Sequence, residues 1–347
     1  MEFPKLGNLV PPPSHGKTIL FNSLGELLDI GRKYFSSTGD AKYFFRGECA
    51  FFPYPFPGIF RGNFLKNEKE IFQYVLNHCP NLFSHAKTTF DKLCEMAHYG
   101  FPARILDVSS DLMMSWFMAV DGIDQDGFLD VVFKTRNLFF VPNILVFRVP
   151  ENREKFIDSD LVSTLSVVAR MKNEFNLGEL RHEVSQERFD FDEKWFDKNY
   201  DCEKNWLVYP RLENPRVKRQ KGAFILHGIL PENCWRLKMG QKMDKSLKKS
   251  TTGFAFPKIP WAYETYSCQE IIRYARLVPS ANYLKNLSVA VSHGATSYSD
   301  IVRIRGALSD FKQKVFEELS FVGGGQIDAY EDDFALQAKV CKNKFSK

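Results

Sequence analysis

The chain has 347 residues, enough for one large domain or two ordinary ones, and its 44 % hydrophobic and 26 % charged residues are the proportions of a folded soluble protein. A formal net charge of +5 is mildly basic and falls well short of a dedicated nucleic-acid binder. Seven Cys without a C-x-x-C pair exclude a bunched tetrahedral zinc site, and in a chain this long they argue against a disulfide framework.

The thiols are therefore expected to be buried in a reducing cytoplasm. Met1-Glu2-Phe3-Pro4 has neither a basic start nor an apolar run, and no stretch approaches a membrane span. The expectation is a cytoplasmic protein with no membrane partner. The 33 Phe read chiefly as core. Stretches 43–46 and 206–211 alone come near the aromatic–basic alternation of a base-stacking surface.

Residues 1–19, with Pro11-Pro12-Pro13, read as an irregular arm. Ser23-Leu24-Gly25-Glu26 has capping-box spacing and opens an amphipathic helix to about Phe35. A turn leads to a strand over Ala41–Arg46, then an aromatic, Pro-rich loop ends at Arg61. Helices are expected over 67–78, 84–97 and 112–120, where apolar residues recur at i, i+3, i+4 and i+7. Strands follow at 128–133 and Ile144–Val149, then helices at about 160–173 and 179–188.

Further strands are expected at Trp206–Tyr209 and Gly222–Leu226, with Gly222 marking a close backbone approach. Residues 228–265 are Gly-, Lys- and Pro-rich and read as a loop or insertion. Arg236, Lys238, Lys242, Lys245, Lys248 and Lys249 there form a solvated loop or a nucleic-acid contact. The remaining elements are a helix near 268–277, a strand near Ile301–Ile304, and helices at 310–320 and 331–342. This mixture without regular alternation predicts α+β: a mixed, split β-sheet flanked by helices. An N-terminal arm and helix (1–40) precede a main domain over 41–345, with insertions at about 151–205 and 228–265.

Polar groups concentrate in Ala97-His98-Tyr99-Gly100-Phe101-Pro102-Ala103-Arg104-Ile105-Leu106-Asp107-Val108-Ser109-Ser110. Gly100 and Pro102 stop the preceding helix, Ile105–Val108 reads as a strand, and Asp111 can cap the next helix. A helix–strand–helix junction of this kind is a common place for a binding site. No Gly-x-Ser-x-Gly elbow, phosphate-binding Gly-x-x-x-x-Gly-Lys loop or His-Glu-x-x-His motif is present.

Together with Phe45-Arg46-Gly47, this stretch resembles the FRG domain, a family named for its Phe-Arg-Gly motif. Pro57-Gly58-Ile59-Phe60-Arg61 is similar to a second family element, and His98 to Ser109 to the long central motif. Val108 and Ser109 stand where the family usually has Trp and Thr. Arg216, Gln220, Gly222 and Phe224 match a downstream pattern, and residues 301–328 resemble the terminal strand–helix–loop unit. The order of motifs is in turn similar to the ADP-ribosyltransferase fold.

The resemblance implies a site for NAD, used as substrate, between the Arg46 strand end and the His98–Ser109 segment, with no metal. Arg46 would bond a phosphate or ribose. Ser109 would hold the nicotinamide ribose or buttress Arg46, Tyr99 would stack on the leaving ring, and His98 would bond ribose hydroxyls. Gln220 falls where the catalytic carboxylate is expected, yet a Gln cannot act as a general base. Either Asp107 or Glu48 supplies the carboxylate, or the protein binds a nucleotide without transfer.

Arg61, Arg104 and Arg216 would complete a phosphate patch. Architectural roles stand beside these: an Arg46–Asp107 pair, an Arg104–Asp107 pair, a helix-capping His98 and a core Tyr99. The implied function is an ADP-ribosyltransferase-like toxin or phage-defence effector acting on nucleic acid or protein. The alternatives are a non-catalytic nucleotide or nucleic-acid binding module and a metal-independent RNase.

Overall fold

The structure, a computed structural model, describes residues 17–36, 41–49, 57–61, 64–122, 142–172, 175, 177–188, 204–211, 218, 220–228, 272–280, 283–284, 298–321 and 333–345. In chain order its main elements are β1 (Lys17–Phe21), α1 (Leu24–Tyr34), β2 (Ala41–Glu48), α2 (Glu68–His78), α3 (Thr89–His98), β3 (Ile105–Ser109), α4 (Leu112–Asp121) and β4 (Asn143–Pro150). Then come β5 (Glu154–Phe156), α5 (Asp160–Val167), α6 (Leu177–Glu187), β6 (Trp206–Tyr209), β7 (Gly222–Leu226), β8 (Ile272–Pro279), α7 (Tyr298–Phe321) and α8 (Asp333–Phe345). The architecture is α+β, with the described strands paired both parallel and antiparallel and flanked by helices.

The chain divides into two compact units. The first comprises Met1–Pro55, Val108–Glu151 and Ile272–Ala329; the second, Phe56–Asp107, Asn152–Ile271 and Tyr330–Lys347. In the first, β1 runs parallel to β8, while β8–β4 and β4–β2 are antiparallel, and β2 meets β3 at Phe45 opposite Ser109. β4 lies between β2 and β8, and its Ile-Leu-Val-Phe run is buried on both faces, as expected of an inner strand.

One face of these strands, through Phe45, Ile144, Val146, Ala275 and Leu277, shares a core with α1, α4 and α7. Trp116 lies edge-on to Phe21 at 5.2 Å in its middle. α1 is capped at its N-terminus by Ser23, whose hydroxyl accepts the Glu26 N–H (3.1 Å). The Glu26 carboxylate reaches back to the Asn22 N–H instead of that of Ser23.

In the second unit β5 is parallel to β6, and β6 antiparallel to β7. Trp206, Val208, Phe224 and Leu226 turn inward to a core with α2, α3, α5, α6 and α8. α3 begins at Thr89 rather than near 84, because Thr88 and Asp91 form a capping box that fixes the start there.

Three expected elements differ. Residues 17–19, read as irregular, belong to β1, held in place by parallel pairing with β8. Residues 272–277, read as helix, are strand, because β4 and β1 flank them and take up their backbone hydrogen bonds. Ile301–Ile304, read as strand from its β-branched residues, lies in the 24-residue helix α7. That helix is anchored by Leu308, Phe311, Val315 and Leu319 at helical spacing. The strand expected at 128–133 and nearly all of 228–265 lie outside the described residues.

Candidate functional site

Alternation along β2 separates the three residues of Phe45-Arg46-Gly47 by task. Phe45 enters the apolar core. Gly47, on the same face, is crossed by α4 at backbone distance: a Cβ there would overlap the Ser115 carbonyl oxygen and lie 2.6 Å from the Ala119 nitrogen. Arg46 points to the other face, where Glu48 follows two residues later.

The β2–β4–β8 register extends that second face. Arg46 lies opposite Leu145, and Leu145 opposite Arg276; Glu48 lies opposite Asn143. Two guanidiniums thus flank one carboxylate. Arg46 Nε stands 3.9 Å from Glu48 Oε1, and Arg276 Nη1 stands 3.9 Å from Glu48 Oε2. Arg276 Nη1 donates to Asn143 Oδ1 (2.8 Å), and Asn143 Nδ2 approaches the Glu48 carbonyl oxygen at 3.5 Å.

The Glu48 and Arg276 side chains are each 3 % exposed, whereas Arg46 is 17 % exposed. The 3.9 Å contacts are ionic rather than direct hydrogen bonds. In so dry a setting each charge acts more strongly than in water. A planar guanidinium fork beside a carboxylate can address a phosphate and a hydroxyl at once.

Ser109 sits opposite Phe45, hence on the Phe45 side of the strands rather than that of Arg46. Its Oγ accepts the Asp111 N–H (2.9 Å). Asp111 in turn caps α4 by accepting from the Met113 and Met114 N–H groups.

Within the second unit, His98-Tyr99-Gly100 ends α3 as a Schellman motif. The Phe101 N–H bonds the Met96 carbonyl (2.8 Å), the Gly100 N–H bonds the Ala97 carbonyl (3.1 Å), and Gly100 has φ +79°. His98 is the last helical residue, its ring edge-on to Tyr99, and Tyr99 is half-buried against the apolar core. Arg104, 4 % exposed, forms a two-pronged ion pair with Glu68 of α2, its Nε donating at 2.8 Å.

Beside that pair lies His227, whose Nδ1 is 3.1 Å from Asn205 Oδ1 and whose ring meets Phe60 edge-on. Burial first, and then the Arg104 charge, push the His227 imidazole down to about 3, so it is neutral. Asp107 is half-buried on β3, Gln220 is half-buried in the turn before β7, and Arg61 is exposed. Gly222 opens β7. Arg216 lies outside the described residues.

Sequence reasoning named Glu48 as one candidate carboxylate but missed Asn143 and Arg276. Arg276 falls in the stretch expected to be helix, and Asn143 lies just before the strand expected at Ile144–Val149. The signal that could have found Arg276 is the Ile-Arg-Tyr-Ala-Arg-Leu-Val run, whose β-branched and aromatic members suit a strand.

Among the described residues, no group of three or more His, Cys, Asp or Glu is placed to hold a metal ion, and no helix is long and apolar enough to cross a membrane. Fold and site together define an α+β protein with a Glu–Asn–Arg cluster buried on the sheet strands of its first unit and the partly exposed Arg46 beside it. Comparison with protein-family models, curated proteins and solved structures finds no match to this chain.

Proposed function

We propose that this chain is an FRG-type protein with an ADP-ribosyltransferase-like site that takes NAD as substrate. What supports the reading is the placement of Arg46 and Glu48 side by side on one face of β2, with Arg46 the more exposed of the two. Their interacting ends lie close together, Arg46 Nε 3.9 Å from Glu48 Oε1. Arg46 bonds the pyrophosphate, and Glu48 is the carboxylate that Gln220 cannot be.

Cleavage of the ribose C1′–N bond passes the bonding pair to nicotinamide, which leaves neutral, and an oxocarbenium-like carbon remains. A nucleophile of the acceptor then attacks C1′ and loses its proton. A negative charge at Glu48 favours the cationic carbon electrostatically. The acceptor is a protein or a nucleic acid, and a toxin or phage-defence role follows from the resemblance.

The test incubates the purified chain with NAD labelled in its adenylate half and a lysate holding both protein and nucleic acid, alongside Arg46→Ala. Label on a macromolecule with nicotinamide release, both lost in a folded Arg46→Ala, is the expected result. No transfer and no nicotinamide release overturns the transferase. A second reading, a binding module without turnover, draws on the near-complete burial of Glu48 between two guanidiniums, a common architectural arrangement. NAD binding without nicotinamide release would assign the protein to it.

A further inference from the structure

Cys79 and Cys341 stand far apart in the chain and share one core of the second unit. Cys79 closes α2, its N–H bonding the Val75 carbonyl (2.9 Å), and it continues the buried stripe of Phe72 and Val75. On α8, Ala338, Cys341 and Phe345 fall on one face and turn to that same core. Both Cys are thiols.

α2 and α8 pack on each other. Phe345 meets Tyr74 edge-on at 6.0 Å, and Lys344 Nζ lies 4.7 Å from the centre of the Tyr74 ring. Each Cys stands roughly one helical turn from that contact on its own helix. Lys342 adds a second anchor, its Nζ 3.8 Å from where a Cβ on Gly100, at the end of α3, would sit. Burial first pushes the Cys341 thiol up to about 11; Lys342 pulls it down, and Cys79 pushes it further up. The two sulfurs therefore lie within electrostatic reach of each other.

We propose that Cys79 and Cys341 are an oxidation site, at which a peroxide turns the pair into a disulfide that staples α8 to the end of α2. One sulfur attacks a peroxide oxygen, the O–O bond breaks, and a sulfenic acid and one water result. The second sulfur displaces the sulfenic hydroxyl, which leaves with that thiol's proton as a second water. The two thiols give up two electrons and the peroxide takes them. With few thiolates present the reaction is slow, and a peroxide is small enough to enter where a maleimide is not. Closing most of the chain into one loop restricts the unfolded state, so the oxidised chain melts at a higher temperature. None of this depends on the NAD reading.

The experiment treats the reduced full chain with hydrogen peroxide, removes the excess with catalase, and alkylates the remaining thiols in denaturant. Peptides digested without reductant are then read by mass spectrometry. A species joining the Cys79 and Cys341 peptides, two hydrogens lighter than their sum and separated by dithiothreitol, is the expected result. The melting temperature rises by about 5 °C with it. The rise persists in Cys94→Ala and is absent from Cys79→Ala and Cys341→Ala. Folded wild type in which both residues stay thiols, or go on to sulfinic acid unlinked, overturns the pairing. So does a Cys79–Cys341 link no more abundant from the folded chain than from chain oxidised in urea. A link that leaves the melting temperature unchanged overturns the staple. The peptide map needs wild type alone, so it decides the pairing even if an Ala variant does not fold.

Discussion

His227 shows how much one buried side chain can impose on the rest. Its imidazole is 3 % exposed, faces Phe60 and Asn205, and lies near the cation of the Arg104–Glu68 pair. The folded value of about 3 lies below the ordinary 6.5. Between those values the unfolded chain binds a proton that the folded chain refuses. The contribution is thus complete above about pH 6.5 and is lost as pH falls toward 3. At pH 4.5 the linkage amounts to about 2–3 kcal/mol. Melting curves from pH 7.5 to 4.5 should fall more steeply for the wild type than for His227→Gln; equal slopes would refute the assignment.

At the scale of elements, the Phe-Arg-Gly triplet is a strand–helix contact as much as a site. β2 turns Phe45 to the core and Arg46 to the opposite face, while Gly47 admits α4 against the bare backbone. Any Cβ at 47 forces apart a strand and a helix, and the atoms it meets are backbone, which cannot rotate away. Gly47→Ala should therefore cost about 3 kcal/mol or more, at the upper end of overpacking penalties. Urea unfolding measures this. A loss below about 1 kcal/mol would mean that α4 shifts freely, contrary to its packing through Trp116 and Ala119.

At the scale of the molecule, the described residues form an apolar core in each unit. Cys79, Cys94 and Cys341 all belong to the core of the second. Burial raises each of these thiols above its ordinary value, that of Cys94 well above it and that of Cys341 to about 11. Few thiolates are present near neutral pH, and reagents do not reach them. The three should resist maleimide at pH 7.5 and become reactive together as denaturant unfolds that unit. Mass spectrometry of labelled peptides reads each site, and early labelling of any one would show that the unit does not open as one.

What the sequence determined by itself follows from local chemistry. Ser23 and Asp111 announce helix starts because a side-chain oxygen can meet an orphan N–H without help from elsewhere. Gly100 announces a helix end because it tolerates positive φ. Leu27, Phe72 and Phe90 declare buried faces by their spacing alone. From such signals the α+β class and most element positions could be read. The candidate site was legible only where it shares a strand: Arg46 and Glu48 were visible two residues apart.

Only the tertiary structure could decide the rest. β1 and β8 are strands because they pair with each other and with β4, and pairing partners distant in sequence leave no local trace. Arg104 could equally have met Asp107 or a phosphate; packing of α2 put Glu68 against it. Asn143 and Arg276 join Glu48 through strand register, which is a property of three segments at once. Spacing along a chain fixes which face a residue occupies, whereas the choice of neighbour across a sheet belongs to the folded whole.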